Sequence, residues 1–446
     1  MMNTYDKYKD SGIEWIGKIP EHWNLKKIKH TTYVKGRIGW KGLRSDEFLE
    51  LSDSYVVTGT DFKNGRIKWE TCYQVPLDRY EDDPFIKLKN EDLLITKDGT
   101  IGKIALVRDM PKIATLNSGV FLTRPYNGEY SQEFMYWILF SEVFKTFYDY
   151  NKSGSTIQHL YQNVFNEFEY PFPPLSEQNK IAKYLIHKTT QINTLIAKKE
   201  QFITLLQEER TALINQAVIK GLNPKVKMKN SSIEWLGEIP KHWEVILFKR
   251  VIARIKDGTH GTFQRLPEGY PFLSAKNVYN DGLKISETES LISEKDFIEI
   301  TKNGFPKKND LLITCVGTIG RTFVYDKEES IAFQRSVTFI RFNENMNPHY
   351  YKFYVQSSIY QNLLISLAKT SAQSGIYMND LMNTYALKVP LNEQTKIAEF
   401  LKTKTSEIDK IILKAQQEIE LLKEYKTALI SEVITGKVDV RNVILN

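Results

Sequence analysis

The chain repeats itself. Residues 11–23 read SGIEWIGKIPEHW, and residues 231–243 read SSIEWLGEIPKHW. Residues 92–102 read DLLITKDGTIG, and residues 310–320 read DLLITCVGTIG. Residues 174–182 read PLSEQNKIA, and residues 390–398 read PLNEQTKIA. The offsets are 220 from Trp15 to Trp235, 218 from Asp92 to Asp310 and 216 from Pro174 to Pro390. Three motifs kept in order at a nearly constant spacing mark a duplication. The period is far longer than the roughly 20–50 residues of a solenoid repeat, so each copy can be a domain. One architecture must be built twice, and one operation is expected at two places.

Each copy divides into two parts. The first part, 1–171 and 223–388, is rich in aromatic and β-branched residues and in glycine-containing turns. The pattern predicts strands at Ser54–Thr58, Leu93–Thr96, Gly119–Thr123, Leu311–Thr314 and Ser336–Phe342, and helices at Gln132–Tyr148 and His349–Leu367. The second part, 172–222 and 389–446, opens at the Pro-Leu-Ser/Asn-Glu-Gln motif. Ser176 and Asn392 are the expected N-caps, with Glu177 and Glu393 in the first turn, and a second helix start is expected near Thr190 and Ser406. Beyond it no Pro or Gly intervenes before Gly221 and Gly436.

Apolar positions there alternate by four and three: Ile192, Ile196, Ile203, Leu206 and Leu213, and Ile408, Ile412, Ile419, Leu422 and Leu429. That is a coiled-coil seam, interrupted at matched places by Arg210 and Lys426. The expected fold is α+β: two mixed α/β modules joined by two long helical regions that pair as an antiparallel coiled coil, with an internal pseudo-twofold repeat. Thirty residues at roughly 1.5 Å each give a rod of about 45 Å, comparable to one DNA turn of about 34 Å.

The net charge of +7 favours a polyanionic partner without requiring one. Most of the excess lies after residue 222, so any DNA surface in the first copy must be a local patch. No apolar run reaches the roughly 18 residues of a membrane span. The polar start MMNTYDKYKD does not read as a signal peptide. Two non-equivalent cysteines, Cys72 and Cys315, fit a reducing cytoplasm, and the seven histidines show no metal-ligand spacing.

The apparent chemistry dissolves on inspection. Gly99-Thr-Ile-Gly102-Lys103 is too short for a phosphate-binding P-loop, and the second copy carries Arg321 in place of the lysine. A structural turn whose glycines take positive φ is the plainer reading. Phe172-Pro173-Pro174-Leu175 lacks the polar residue that an amino-methyltransferase needs to hold its target amine. His22 and His242 sit among Trp15, Trp23, Trp235 and Trp243, which favours an aromatic clasp over catalysis.

What remains points to nucleic acid. Lys35-Gly-Arg37-Ile-Gly-Trp40-Lys41-Gly-Leu-Arg44 interleaves bases, glycines and an aromatic. Glycines let backbone approach phosphates, Lys and Arg neutralise them, and Arg can read guanine. Lys63 and Arg66 form a second basic turn, Lys103 follows the Gly-Thr-Ile-Gly turn, and Ser155 and Gln158 lie in a late polar loop. The second module presents Lys256, Thr259, His260, Thr262, Gln264 and Arg265, with Lys276, Arg321, Gln373 and Tyr377 as further candidates. The frame motifs repeat while these loops do not, so two modules would read two different sequences.

These motifs, over essentially the whole chain, resemble the specificity (S) subunits of type I restriction–modification systems. The resemblance rests on the paired I-E-W-[IL]-G-x-I-P-x-H-W starts, the D-L-L-I-T-x-x-G-T-I-G turns, the P-L-x-E-Q-x-x-I-A helix starts and the GRIGWKGL and DGTHGTF loops. It implies target recognition domains at 1–171 and 223–388, with central and distal conserved helical regions at 172–222 and 389–446. It implies binding to double-stranded DNA, one half of a split asymmetric target per domain, with two methyltransferase (M) subunits and restriction (R) subunits as partners. It further implies no catalytic residue and no cofactor in this chain, S-adenosylmethionine residing in M and ATP and Mg²⁺ serving R. The alternatives are a stand-alone methyltransferase or nuclease, and a scaffold whose modules bind protein.

Overall fold

A computed structural model describes residues 3–37, 43–151, 159–368 and 375–445. The chain forms two compact units, Met1–Lys199 with Gln417–Asn446, and Glu200–Gln416. Each contains one α/β module and half of each long helix.

In the first unit the main sheet has six strands. Their order is Thr32–Gly36, Val120–Pro125, Leu93–Thr96, Ile104–Leu106, Arg66–Ile67 and Phe62–Lys63. A second sheet sets Ser54–Val57 between Ala114–Leu116, in parallel, and Tyr73–Val75. Continuous apolar strands such as Leu93-Leu94-Ile95 are covered on both faces. Leu94, Ala105 and Leu122 meet Val57 and Leu116 in one core, all 0 % exposed. The second unit repeats the plan. Its main sheet runs Ile252–Asp257, Val337–Phe342, Leu311–Thr314 and Thr322–Val324, and Tyr270–Leu273 lies between Leu291–Ile292 and Ala332–Phe333.

The predicted strands are present to within a residue or two of their ends. Each predicted module helix is instead two helices: Gln132–Phe140 and Glu142–Asn151 in the first module, Pro348–Gln356 and Ser358–Leu367 in the second. The break falls on Ser141 and Ser357, whose backbones leave the helical region at ψ 165° and 141°. Their hydroxyls donate to the carbonyls of Ile138 and Tyr354, each at 2.7 Å, and accept from the amides of Val143 and Tyr360. Serine there caps a new helix instead of continuing the old one.

The long helices, Leu175–Lys220 and Leu391–Ile434, are each uninterrupted. The expected second starts near Thr190 and Ser406 do not exist. Beside them, Thr189 and Thr405 are buried and donate to the carbonyls of Leu185 and Leu401 at 2.7 Å, which keeps both residues inside the helix. The expected caps Ser176 and Asn392 lie within the first turn. Pro174 and Pro390 hold the cap position, and their carbonyls accept from Gln178 and Gln394, each at 3.0 Å.

The helices pair antiparallel along the expected seam. Ile192, Ile196, Leu206, Ile408, Ile419 and Leu429 are buried, and Ile203, Leu213, Ile412 and Leu422 are half-buried. Lys199 pairs with Glu418 and Lys426 donates to Asn193 at 3.0 Å in the first unit, while Arg210 meets Asp409 at 2.9 Å in the second. Such polar contacts at seam positions specify register.

Both helices end on a glycine in the left-handed region, Gly221 at φ 75° and Gly436 at φ 74°. A Cβ on Gly436 would lie 2.3 Å from Pro20 Cδ, so only glycine fits. After Gly436 the chain returns to its own beginning. Asp439 N donates to Asn3 O at 2.7 Å, and Tyr8 Oη donates to Gly436 O at 3.1 Å.

Candidate nucleic-acid interface

The repeated motifs explain one another once they are folded. Glu177, in the first turn of the central helix, accepts from Tyr5 Oη at 3.1 Å and Trp23 Nε1 at 3.0 Å, and lies 2.7 Å from His22 Nε2. Glu393 repeats the arrangement with Trp243 Nε1 at 3.2 Å and His242 Nε2 at 2.8 Å. A carboxylate near a helix N-terminus is also favoured by the helix dipole. The adjacent Gln178 and Gln394 are 0 % exposed and lock each helix to its module. They donate to Pro173 O and Val389 O, and accept from the amides of Ser131 and Asn347. The His-Trp pairs are therefore clasps between each module and its helix, as the aromatic context predicts.

The other shared motif is a brace and a hairpin turn. Asp92 takes Arg124 side-on at 2.6 Å to each oxygen, and Asp310 takes Arg341 at 2.8 and 2.7 Å. At the Gly-Thr-Ile-Gly turn, Thr96 Oγ1 donates to Thr100 O at 2.6 Å and accepts from Lys103 N at 2.9 Å. Gly102 N and Gly320 N close the two turns onto Thr96 O and Thr314 O. Thr96 and the amides of Gly102 and Lys103 thus serve the hairpin, in keeping with a structural turn.

Strand register decides where the non-repeating loops go. In the first module Gly36 pairs with Phe121, and Val120 with Thr96. The ends of these strands therefore lie together, and the segments leaving them share one end of the sheet. Asp98 bridges His159, which brings the close of the late loop to that same end. In the second module Asp257 pairs with Thr338, Thr314 with Val337, and Val316 bridges Gly375. Each module thus gathers the start of its early segment, its central turn and the close of its late segment at one sheet end.

The candidate residues divide accordingly. Arg44 is exposed, with its amide on Glu47. Trp40, Lys41, Ser155, Gln158 and Gln373 lie outside the described residues. His260, Thr262, Gln264, Arg265 and Tyr377 are exposed, and Lys256 and Thr259 are half-buried. Arg265 lies 4.4 Å over the Phe272 ring. Arg37 is placed otherwise than a phosphate-neutralising group needs, because it is only 2 % exposed. Its Nε donates to Leu116 O at 2.8 Å and its Nη2 to Thr115 Oγ1 at 3.0 Å. Burial, and Arg79 nearby, pull its pKa below the usual arginine range.

A second group sits on the lateral edge of the sheet, beside the central turn. Lys63 and Arg66 flank the tip of the edge hairpin, and Lys103 stands beside it. Lys276 pairs with Glu289 at 2.8 Å, and Arg321 lies 4.5 Å over the Tyr279 ring. Sequence reasoning misses Lys97, His159 and Arg335. Arg335 is exposed and its amide bonds Thr259 O at 3.0 Å. All three reach the sheet end through strand register, which no local motif announces.

These features define a class: a duplicated recognition module with a shared frame, each copy fused to half of a helical pair. The profile of the type I restriction modification DNA specificity domain matches residues 42–205 and 254–421. The chain belongs to the family of specificity subunits of type I restriction–modification systems, which are non-catalytic components of those enzymes. The type I restriction enzyme MjaVIII specificity subunit of Methanocaldococcus jannaschii is 25 % identical over 440 residues, 95 % of each chain. The EcoKI specificity subunit of Escherichia coli is 21 % identical over 395 residues, 85 % of this chain and 82 % of that one. In fold, the HsdS subunit from Thermoanaerobacter tengcongensis matches with TM-score 0.56 at 14 % identity, covering 94 % of this chain and 98 % of that one. Another match, from work on complex assembly and conformational transition of the type I R-M system, has TM-score 0.65 at 15 % identity, covering 93 % and 98 %. Among the described residues no helix is long and apolar enough to cross a membrane, and no group of three His, Cys, Asp or Glu could hold a metal ion.

Proposed function

We propose that residues 1–171 and 223–388 are two target recognition domains, each reading one half of a split, asymmetric DNA duplex target. The observation that carries this reading is the division between the copies. The Glu–Trp–His clasp, the Asp–Arg brace and the hairpin turn recur in both copies, while the early and late segments differ in sequence. Trp40, Lys41, Arg44, Ser155 and Gln158 are the proposed contacts of the first domain. Lys256, Thr259, His260, Thr262, Gln264, Arg265, Gln373 and Tyr377 are those of the second. Lys63, Arg66, Lys276 and Arg321, on the sheet edge, are assigned to phosphates. Phosphate contacts position a duplex and base-edge contacts specify its sequence. Arg37 is assigned a positioning role, holding the start of the early loop on the neighbouring strand.

The helices, 172–222 and 389–446, are proposed to fix the spacer and to dock two M subunits, with R subunits joining for cleavage in the cytoplasm. Each helix keeps exposed apolar residues outside the seam, among them Leu195 and Leu421 in the first unit and Leu205 and Ile411 in the second. A second apolar stripe on a helix already paired fits further helices. In this reading S-adenosylmethionine belongs to M, and ATP and Mg²⁺ to R. Holding two weak readers on one frame raises the effective concentration of the second half-site. Single-molecule methylome sequencing of cells expressing the chain with its M partner tests the proposal. A bipartite motif with unlike halves is expected, and an uninterrupted palindrome would contradict it.

A further inference from the structure

The first unit holds a cleft of about 800 Å³ between the central turn and the helical pair. One wall is the edge hairpin and the Gly-Thr-Ile-Gly turn, carrying Lys103, and the other is the helical pair, carrying Lys426. Phe62, Tyr136, Trp137 and Phe140 add an aromatic side. Tyr136 and Phe140 are stacked with centroids 5.7 Å apart at 10°, and Phe140 is 50 % exposed. No carboxylate lines the cleft among the described residues. Lys426 Nζ donates only to the neutral amide of Asn193, at 3.0 Å.

The matching place in the second unit is compensated from within. There Asn193 is replaced by Asp409, Lys426 by Arg210, Gly65 by Asp281 and Tyr136 by Lys352. Arg210 donates to Asp409 at 2.9 Å. Burial and Arg210 hold Lys352 below its usual range, while Asp281 and Asp409 oppose them. The first unit has neither carboxylate and carries two ammonium groups, Lys103 and Lys426. Glycine at position 65 leaves room for the Tyr136 ring, since a Cβ there would lie 2.5 Å from Tyr136 Oη.

Charge without an internal counterion suits an anion, and an exposed stacked ring suits a planar body. The volume is that of a small-molecule site. We propose that this cleft binds one nucleotide unit, its phosphate between Lys103 and Lys426 and its base on the Phe140–Tyr136 face. The unit could come from a free nucleotide or from a single strand. The inference does not depend on which bases the sheet-end loops read.

Calorimetric titration of the full chain with AMP, with a short deoxyadenylate strand and with inorganic phosphate tests it. AMP or the strand is expected to bind, and phosphate alone to bind about tenfold more weakly or less. Binding of AMP identifies a free nucleotide as the source, and binding of the strand alone identifies nucleic acid. Lys103→Gln and Lys426→Gln should each weaken binding by about tenfold. Lys295→Gln, an exposed change of equal charge, should leave it unaltered. Lys103 is exposed, so that variant decides the matter if Lys426→Gln disturbs the seam. Absence of binding by AMP and the strand, phosphate binding as tightly as either, or wild-type binding by Lys103→Gln would overturn the proposal.

Discussion

Arg37 and Gly258 stand at the same register position of the two modules, one residue past the strand pairs Gly36–Phe121 and Asp257–Thr338. They do opposite things. Arg37 reaches across to the neighbouring strand with a buried guanidinium. Gly258 has no side chain to reach with, and a Cβ there would lie 2.2 Å from Gln334 O. Its amide instead bonds Val337 O at 2.9 Å. At the opposite end of the sheet the modules agree: Asp92–Arg124 matches Asp310–Arg341, and the Glu177 clasp matches the Glu393 clasp. The frame is held to one solution where the module meets its helix, and each copy has its own solution where loops leave the sheet.

That contrast is open to direct attack. The largest effect is expected at the brace. Asp92→Ala leaves the Arg124 guanidinium half-buried without its carboxylate, and Asp310→Ala does the same to Arg341. Each should cost about 3 kcal/mol in urea unfolding. Clearly unequal costs would show that the brace is not a shared device.

A smaller effect is expected at the clasp. Glu177→Ala removes an acceptor shared by Tyr5, Trp23 and His22, whereas Glu393→Ala strands only Trp243 and His242. Costs of about 2 and about 1 kcal/mol are expected. The reverse order would sink the bonding scheme.

Arg37→Ala should cost about 1 kcal/mol of stability and degrade methylation specificity in one half of the target only. Arg37→Lys, which keeps the charge and loses the forked geometry, should not restore it.

The smallest effect concerns Asp257, the counterpart of Gly36. Burial raises its pKa, against the Thr338 hydroxyl that donates to it. Its folded pKa lies above its unfolded one, so the favourable contribution is present in acid and is lost as pH rises through the folded value. Asp257→Asn should therefore raise the melting temperature by about 1–3 °C at pH 8 and leave it unchanged at pH 4. A gain confined to acid would reverse the sign and refute the burial argument.

The seam was legible because helix periodicity is local. Ile192 to Leu213 and Ile408 to Leu429 announce a buried stripe without any knowledge of the partner helix. The clasp was only half legible. Tryptophans flanking His22 signalled packing, but nothing in the sequence joins His22 to Glu177, 155 positions away. Ser141 and Ser357 sit inside perfectly helical apolar patterns, and the break becomes visible only once their hydroxyls are seen to cap a new helix. Thr190 and Ser406 misled for the converse reason: a hydroxyl residue that suits a cap can also sit inside a helix. Arg37 looked like a DNA contact because residue type was readable from the sequence and burial was not.

The central claim is that one module reads one half-site. Replacing residues 38–44 with a Gly-Ser segment, then sequencing the methylome of cells that carry this variant with its M partner, tests it most directly. One half of the methylated motif should change or degenerate, with the spacer and the other half intact. A change in both halves, or in neither, would contradict the account.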